Sequence, residues 1–188
     1  MLVTEVVTLE VMTMNAKPIE SVCEYCPRCG RHGGDSAEIP FRCQQCGFAN
    51  FFGPVAAVGG LVVNERDELL LVRRARDPGK GKWGLPGGFV DREETIEQAL
   101  AREVLEETGL QVAKTDYLTS FPNSYDYGGV VSPVIDLFYL CRVDSGVQVE
   151  LALDELDDHV WVRPNDTYLD QMAFPSNRRA IEYWLGTR

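Results

Sequence analysis

The chain has 188 residues, 45% hydrophobic and 25% charged, which is the composition of a globular protein and excludes disorder for the bulk of it. Eighteen basic against 29 acidic residues leave a net charge of −11, which argues against nucleic acid or anionic membrane as a partner, because both repel an acidic surface. No apolar run reaches the roughly 18 residues that span a bilayer, and Glu5 and Glu10 without an early Lys or Arg are unlike a signal peptide. A cytoplasmic protein is expected.

The excess of acid is concentrated. Residues 88–110 hold seven acids and two bases, residues 144–158 hold six acids and no base, and the remainder is balanced. Two acidic patches on an otherwise neutral chain point to cation binding.

Three regions are expected in chain order. Residues 1–21 are a tail or an edge strand, with weak alternation over Leu2–Met14. Residues 22–53 hold five of the six cysteines. Residues 54–188 carry the alternating pattern of an α/β domain. Within it, Val55–Val63 reads as a buried strand and Glu68–Arg74 as its hairpin partner. Residues 77–88 read as Gly/Pro-rich loop. A helix is predicted over Glu93–Thr108, begun by Asp91 and Glu94 as a capping box and ended by Gly109. Strands follow at Val112–Leu118, Val134–Arg142 and Val160–Arg163, then a helix over Asn177–Leu185 capped by Ser176.

Cys26-Pro-Arg-Cys29-Gly and Cys43-Gln-Gln-Cys46-Gly form two CxxC knuckles with thirteen residues between them. Two residues between thiols let both sulfurs face one tetrahedral ion, and the glycines that follow, Gly30 and Gly47, let the backbone curl beneath them. A structural Zn²⁺ ribbon on Cys26, Cys29, Cys43 and Cys46 is expected. Cys23 offers a second register, and Pro-x-Cys-Gly favours the first; Cys23 is then a free thiol, Cys141 a small core residue and His32 a loop residue. Three roles for the ribbon stay open: structural appendage, dimerisation element, or contact site.

Glu103, Glu106 and Glu107 are spaced i, i+3, i+4 and fall within about a 100° arc of one helix face. Like charges at that spacing repel, and the end of a helix disfavours anions. Hard oxygen ligands so placed suit Mg²⁺ or Mn²⁺.

The whole string from Gly88 to Leu110, GFVDREETIEQALAREVLEETGL, resembles the Nudix box, Gly-x5-Glu-x7-Arg-Glu-U-x-Glu-Glu-x-Gly-U with U a bulky apolar residue. Gly88, Glu94, Arg102, Glu103, Val104, Glu106, Glu107, Gly109 and Leu110 fill its defined positions, and Trp83-Gly-Leu-Pro-Gly-Gly is similar to the family's approach to the box. The resemblance implies an α/β/α sandwich around a mixed β-sheet and metal-dependent hydrolysis of a nucleoside diphosphate derivative. It implies Glu103, Glu106, Glu107 and the Gly87 carbonyl as ligands of Mg²⁺ or Mn²⁺, with Arg102 and Glu94 orienting the carboxylates. Glu103 is one candidate base, and Glu155 in the second acidic patch is another. Arg73, Arg74, Arg76, Lys80 and Lys82 lead into the box, with Arg73 a candidate phosphate contact.

Phe121-Pro-Asn-Ser124 resembles the close of the substrate array of NADH pyrophosphatases, which also carry a four-cysteine ribbon. The Gln-Pro-Trp-Pro portion of that array is absent here. Phe121, Tyr125 and Tyr127 are candidates to stack on a base. The expected substrate is NADH, ADP-ribose or a similar small nucleotide, cleaved to a nucleoside monophosphate. The alternatives are an oxidised nucleoside triphosphate or dinucleoside polyphosphate, removal of an NAD cap from RNA, or a noncatalytic nucleotide sensor. A homodimer is implied by the resemblance alone.

Overall fold

The structure is a computed structural model that describes residues 16–33, 38–143, 146 and 148–187. The expected strand over Leu2–Met14 lies outside the described residues. The chain divides into two compact units, the described residues of Met1–Phe52 with Asp126–Ser132, and those of Gly53–Tyr125 with Pro133–Arg188. Among the described residues no helix is long and apolar enough to cross a membrane.

In the first unit, β1 (Lys17–Pro18) runs parallel to Val130 and Val131. A single 3-10 turn, Ile19–Val22, follows. The short strands β2 (Phe41–Arg42) and β3 (Ala49–Asn50) pair antiparallel. Its apolar centre is small: Cys26, Phe41 and Cys43 are buried, with Cys46, Phe48 and Phe52 packed beside them.

The second unit is a mixed sheet between helices. Its strands are β4 (Val55–Val63), β5 (Leu69–Arg74), β6 (Trp83–Gly84), β7 (Lys114–Tyr127), β8 (Val130–Arg142) and β9 (Leu156–Val162). β4 and β8 are parallel in unbroken register from Val55↔Val134 to Val63↔Arg142. β7 pairs with the other side of β8, while β6 and β9 pair antiparallel with β5. The helices are α1 (Ile96–Thr108), the short α2 (Asp166–Leu169) and α3 (Pro175–Gly186).

Both faces of the sheet are covered, which is why its central strands read as continuous apolar runs. Alternation decides which helix each residue meets. Val58, Val62, Leu70, Val72 and Cys141 pack with Ala99, Leu100 and Val104 of α1. Leu61, Val63, Leu69, Leu71 and Phe138 pack with Ala180, Ile181 and Trp184 of α3. The layers are α/β/α, as expected.

Several boundaries differ from the sequence reading: the strands expected over Val112–Leu118, Val134–Arg142 and Val160–Arg163 run over Lys114–Tyr127, Val130–Arg142 and Leu156–Val162. Helix α1 starts at Ile96 because Glu93 sits at φ 69°, a left-handed conformation that breaks a helix. Its capping box is Thr95 with Gln98, while Glu94 closes the preceding turn by accepting from the Asp91 N–H at 3.0 Å. Helix α3 begins earlier, with Pro175 in its first turn and no side-chain cap at Phe174. Ser176 does not cap it; its hydroxyl donates to Asp136 instead. The loop over residues 77–88 contains β6, and α2 was not anticipated.

One feature of the sheet positions the site. β4 and β5 pair only at Val63↔Leu69 and then part. Chain from Pro86 to Val90 occupies the freed edge of β4. The Val58 N–H donates to Gly88 O at 2.8 Å, the Gly60 N–H to Pro86 O at 2.8 Å, and the Val90 N–H to Ala56 O at 3.1 Å. Gly87 takes φ 149° there, and a Cβ on it would collide with the Val58 carbonyl. Gly87→Ala is therefore expected to destabilise the second unit by roughly 2–5 kcal/mol, the sum of overpacking and backbone strain. Urea unfolding checks this; an unchanged midpoint refutes it.

Candidate active site

The edge-filling segment and α1 together build an acidic cavity of about 340 Å³ in the second unit. Gly87, Gly88, Arg102, Glu103, Glu106 and Glu107 line it, as do Glu155, Arg74 and Arg76. Helical spacing puts Glu103, Glu106 and Glu107 of α1 on this side, as their i, i+3, i+4 pattern predicts.

Arg102 organises the carboxylates. Its Nε and Nη2 donate to the two oxygens of Glu94 at 2.7 and 2.9 Å. Its Nη1 donates to Glu103 at 2.7 Å and Glu106 at 3.2 Å, and Nη2 also reaches the Phe89 carbonyl at 3.1 Å. This paired contact holds the Glu94 carboxyl down to about 2, helped by the Asp91 N–H. The guanidinium thus ties the loop to the helix.

Glu103 and Glu107 shift the other way from Glu94. Glu107 is 6% exposed, and burial pushes its carboxyl up to about 8, against the pull of the Gly87 N–H that donates to it at 2.9 Å. Burial also raises Glu103, despite the Arg102 contact. Negative charges at Glu106 and Glu155 add to the Glu103 shift, and those at Glu103 and Glu155 to the Glu107 shift. Glu103 lies close against Gly88, where a Cβ would stand 2.6 Å from its Oε1. Glu155 pairs with Arg76 at 2.5 Å.

A hard divalent cation fits this donor set. It would neutralise carboxylates, Glu103 and Glu107 among them, whose ionised form burial otherwise disfavours. Among the described residues, the metal-type donors that gather within 4.8 Å of one another are the four thiols of the first unit. The carboxylates line a wider cleft, which suits Mg²⁺, since that ion keeps several waters and shares substrate phosphates.

Opposite these carboxylates in composition is a group contributed by other elements. Asn123 and Tyr125 of β7, Asp136 and Phe138 of β8, and Phe174 and Asn177 at the start of α3 also line the cavity. The Tyr125 ring lies 6.1 Å from Phe174 at 26° and 5.1 Å from Phe89 at 73°. Arg74 rests over Phe174 at 5.2 Å. Sequence reasoning missed Asp136, Asn177, Phe89 and Phe174. Asp136 had one visible signal, a lone carboxylate within the apolar strand Val134–Arg142.

Of the four side chains expected to meet substrate, Tyr125 lines the cavity and the other three do not. Arg73 points elsewhere, bonded to Asp157 at 2.7 Å and near Asp158 at 3.5 Å. Successive strand residues alternate faces, so its neighbour Arg74 lines the cavity instead. Phe121 packs in the α3-side core, 6.4 Å from Phe138 and beneath Arg179. Tyr127 belongs to the first unit and is 81% exposed.

In the first unit, Cys26 and Cys46 Sγ are 3.7 Å apart, as are Cys29 and Cys43. Four Zn–S bonds of about 2.3 Å in a tetrahedron separate sulfurs by about 3.8 Å, so the set fits Zn²⁺. Each knuckle repeats one pattern: the Gly30 N–H donates to Cys26 O and the Gly47 N–H to Cys43 O, with both glycines at φ 70°. Backbone N–H groups of Cys46 and Gln45 hold the Cys43 thiol down to about 6. Cys23 stands outside this set, and Cys141 is buried in the sheet with its thiol pushed up to about 12 by burial.

The second unit is thus an α/β/α sandwich with a carboxylate-lined cavity between a Gly-Gly loop and a helix. The NUDIX domain family model matches residues 53–184, and the chain belongs to that family. An ADP-ribose pyrophosphatase of Methanocaldococcus jannaschii is 39% identical over 89 residues, 46% of this chain and 52% of that one. An NAD-capped RNA hydrolase NudC of Photobacterium profundum is 31% identical over 146 residues, 77% of this chain and 50% of that one. The chain thus spans about half the length of these two relatives. Among solved structures, a MutT NUDIX hydrolase from Burkholderia pseudomallei is similar at a TM-score of 0.56 and 29% identity, over 70% of this chain and 98% of that one.

Proposed function

We propose that residues 54–188 hydrolyse the diphosphate linkage of a nucleoside diphosphate derivative, such as ADP-ribose or NADH, and that residues 22–53 form a structural zinc ribbon. The observation that carries this is the joint presence, in one cavity, of Glu103, Glu106, Glu107 and Glu155 with aromatic and amide side chains. The names of the relatives support the substrate class.

Glu103, Glu106, Glu107 and the Gly87 carbonyl would hold Mg²⁺ or Mn²⁺. When bound, the ion polarises phosphoryl oxygens and lowers the pKa of a water beside them. Arg102 holds Glu103 and Glu106 in position, and Glu94 holds Arg102. Arg74 and Arg76 are placed to meet phosphate oxygens. Glu103 or Glu155 accepts the proton of the attacking water as its oxygen bonds to phosphorus. The bridging P–O bond breaks, leaving a nucleoside monophosphate and a second phosphorylated fragment. A small nucleotide, more than an RNA chain, suits a protein of charge −11. The thiol-bound zinc suits a reducing compartment such as the cytoplasm.

The test is a nucleotide panel with and without Mg²⁺. Turnover of diphosphate derivatives only with metal is expected, and Glu103→Gln should lower kcat roughly 10²–10⁴-fold. Tight binding without turnover under any divalent metal would instead make this a nucleotide sensor.

A further inference from the structure

Two polar side chains in the cavity are buried and left with hydrogen-bonding capacity. Asp136 is 7% exposed. Its Oδ2 accepts from Asn123 Nδ2 at 2.9 Å and from the Ser176 hydroxyl at 2.5 Å. Those donors come from β7 and α3, so the carboxylate is clamped from both neighbours. Among the described residues no group donates to Oδ1. Among the described residues no fully shielded side-chain oxygen or nitrogen lacks a partner, so Oδ1 keeps some exposure, and the cavity is the space that Asp136 lines.

Asn177 is 8% exposed and its side-chain amide has no partner among the described residues. Its Nδ2 lies 3.5 Å from where a Cβ on Gly84 would stand, and both residues line the cavity. Ser176, next in chain, is the residue that clamps Asp136. Flat faces of Phe89, Tyr125 and Phe174 stand in the same cavity. Buried polar groups without partners are uncommon in folded proteins. A carboxylate oxygen that only accepts, with an amide that both accepts and donates, lacks a ligand of matching pattern.

We propose that Asp136 and Asn177 read an amino group carried by the ring of the substrate, next to a hydrogen-bond acceptor. The inference rests on the reading of the cavity as a nucleotide site. One amino hydrogen goes to Asp136 Oδ1. The Asn177 amide pairs with the adjacent acceptor and the same amino group, a two-point pairing open to adenine. A ring that presents a carbonyl or carboxylate in place of the amino group would set oxygen against Oδ1 and leave that buried oxygen unpaired, which is how sites reject close analogues strongly. Two ring sources share this chemistry, the 6-amino group of adenine and the carboxamide of nicotinamide.

The experiment titrates the full chain, zinc-loaded and without Mg²⁺, with two matched pairs: AMP against IMP, and nicotinamide mononucleotide against nicotinic acid mononucleotide. The amino member of one pair should bind roughly 10–100-fold more tightly, and which pair shows it identifies the ring. Asp136→Asn, which offers a donor as well as an acceptor, should bring that ratio close to one. Asn177→Ala should weaken the amino member with less effect on its partner. Equal binding of both members in both pairs overturns the proposal, as does an unchanged ratio in Asp136→Asn. If Asp136→Asn does not fold, the wild-type ratios with Asn177→Ala decide. Hydrolysis assays separate the two readings. Metal-dependent turnover of diphosphate derivatives together with equal binding within both pairs sinks the inference and keeps the hydrolase. A preference for AMP over IMP without any turnover does the reverse.

Discussion

Glu107→Gln is expected to lower kcat at least about a hundredfold while making the Mg²⁺-free protein more stable at pH 9. The two effects have one origin. Burial holds the Glu107 carboxyl at about 8, against an ordinary value of 4.5, so the fold without metal favours the protonated form. Its contribution to stability is complete below pH 4.5 and is lost as pH rises through 8. The loss is on the order of a few kcal/mol, and glutamine, which cannot ionise, avoids it. Thermal melts of the second unit at pH 6 and pH 9 in Mg²⁺-free buffer measure this. Wild type should fall between the two and recover with added Mg²⁺, whereas Glu107→Gln should fall less. No chelator is used, because it would also strip the thiols. A wild-type melting temperature independent of pH, or an active Glu107→Gln protein, contradicts the assignment.

Cys43→Ser is expected to abolish zinc binding and unfold the first unit. Among the described residues the buried centre of that unit is Cys26, Phe41 and Cys43, far too little apolar surface to hold a fold of its own. Zinc binding of about 10–16 kcal/mol in comparable small modules supplies the difference. Freshly purified wild type should carry about one zinc per chain, and Cys43→Ser much less. Limited proteolysis should then cut within residues 16–52 of the variant and spare them in wild type. A zinc-poor wild type, or a variant equally resistant to protease, argues that the thiols do not hold metal.

How legible each part was follows from physics. Val55–Val63 was read with its true bounds because a strand buried on both faces leaves an uninterrupted apolar run. Helix α1 ends where Gly109 adopts φ 70°, a glycine-favoured conformation visible in sequence. Its start was misread, because the competing caps at Asp91 and Thr95 look alike until Glu93 is known to turn left-handed. The glutamates of α1 were legible because helical spacing is local. Asn123, Asp136, Phe174 and Asn177 were not, because the cavity gathers them from β7, β8 and α3, distant in chain. Strand parity explains Arg73 and Arg74: composition located a basic cluster, but which arginine faces the cavity depends on register.

The segment Pro86–Val90 is held to β4 by main-chain hydrogen bonds, at Val58, Gly60 and Val90. Main-chain bonds are indifferent to side-chain identity, apart from the need for glycine at residue 87. The acidic end of the cavity is therefore fastened by backbone, while the end that faces the rest of the ligand is furnished by side chains of β7, β8 and α3. The ring of Phe89 against Tyr125 joins them. On the proposed reading, substitutions at Asn123, Asp136 or Asn177 should alter what is recognised without moving Gly87 or Glu103, Glu106 and Glu107. A scaffold divided in this way can be retuned to a new ligand one residue at a time while its reactive end stays fixed.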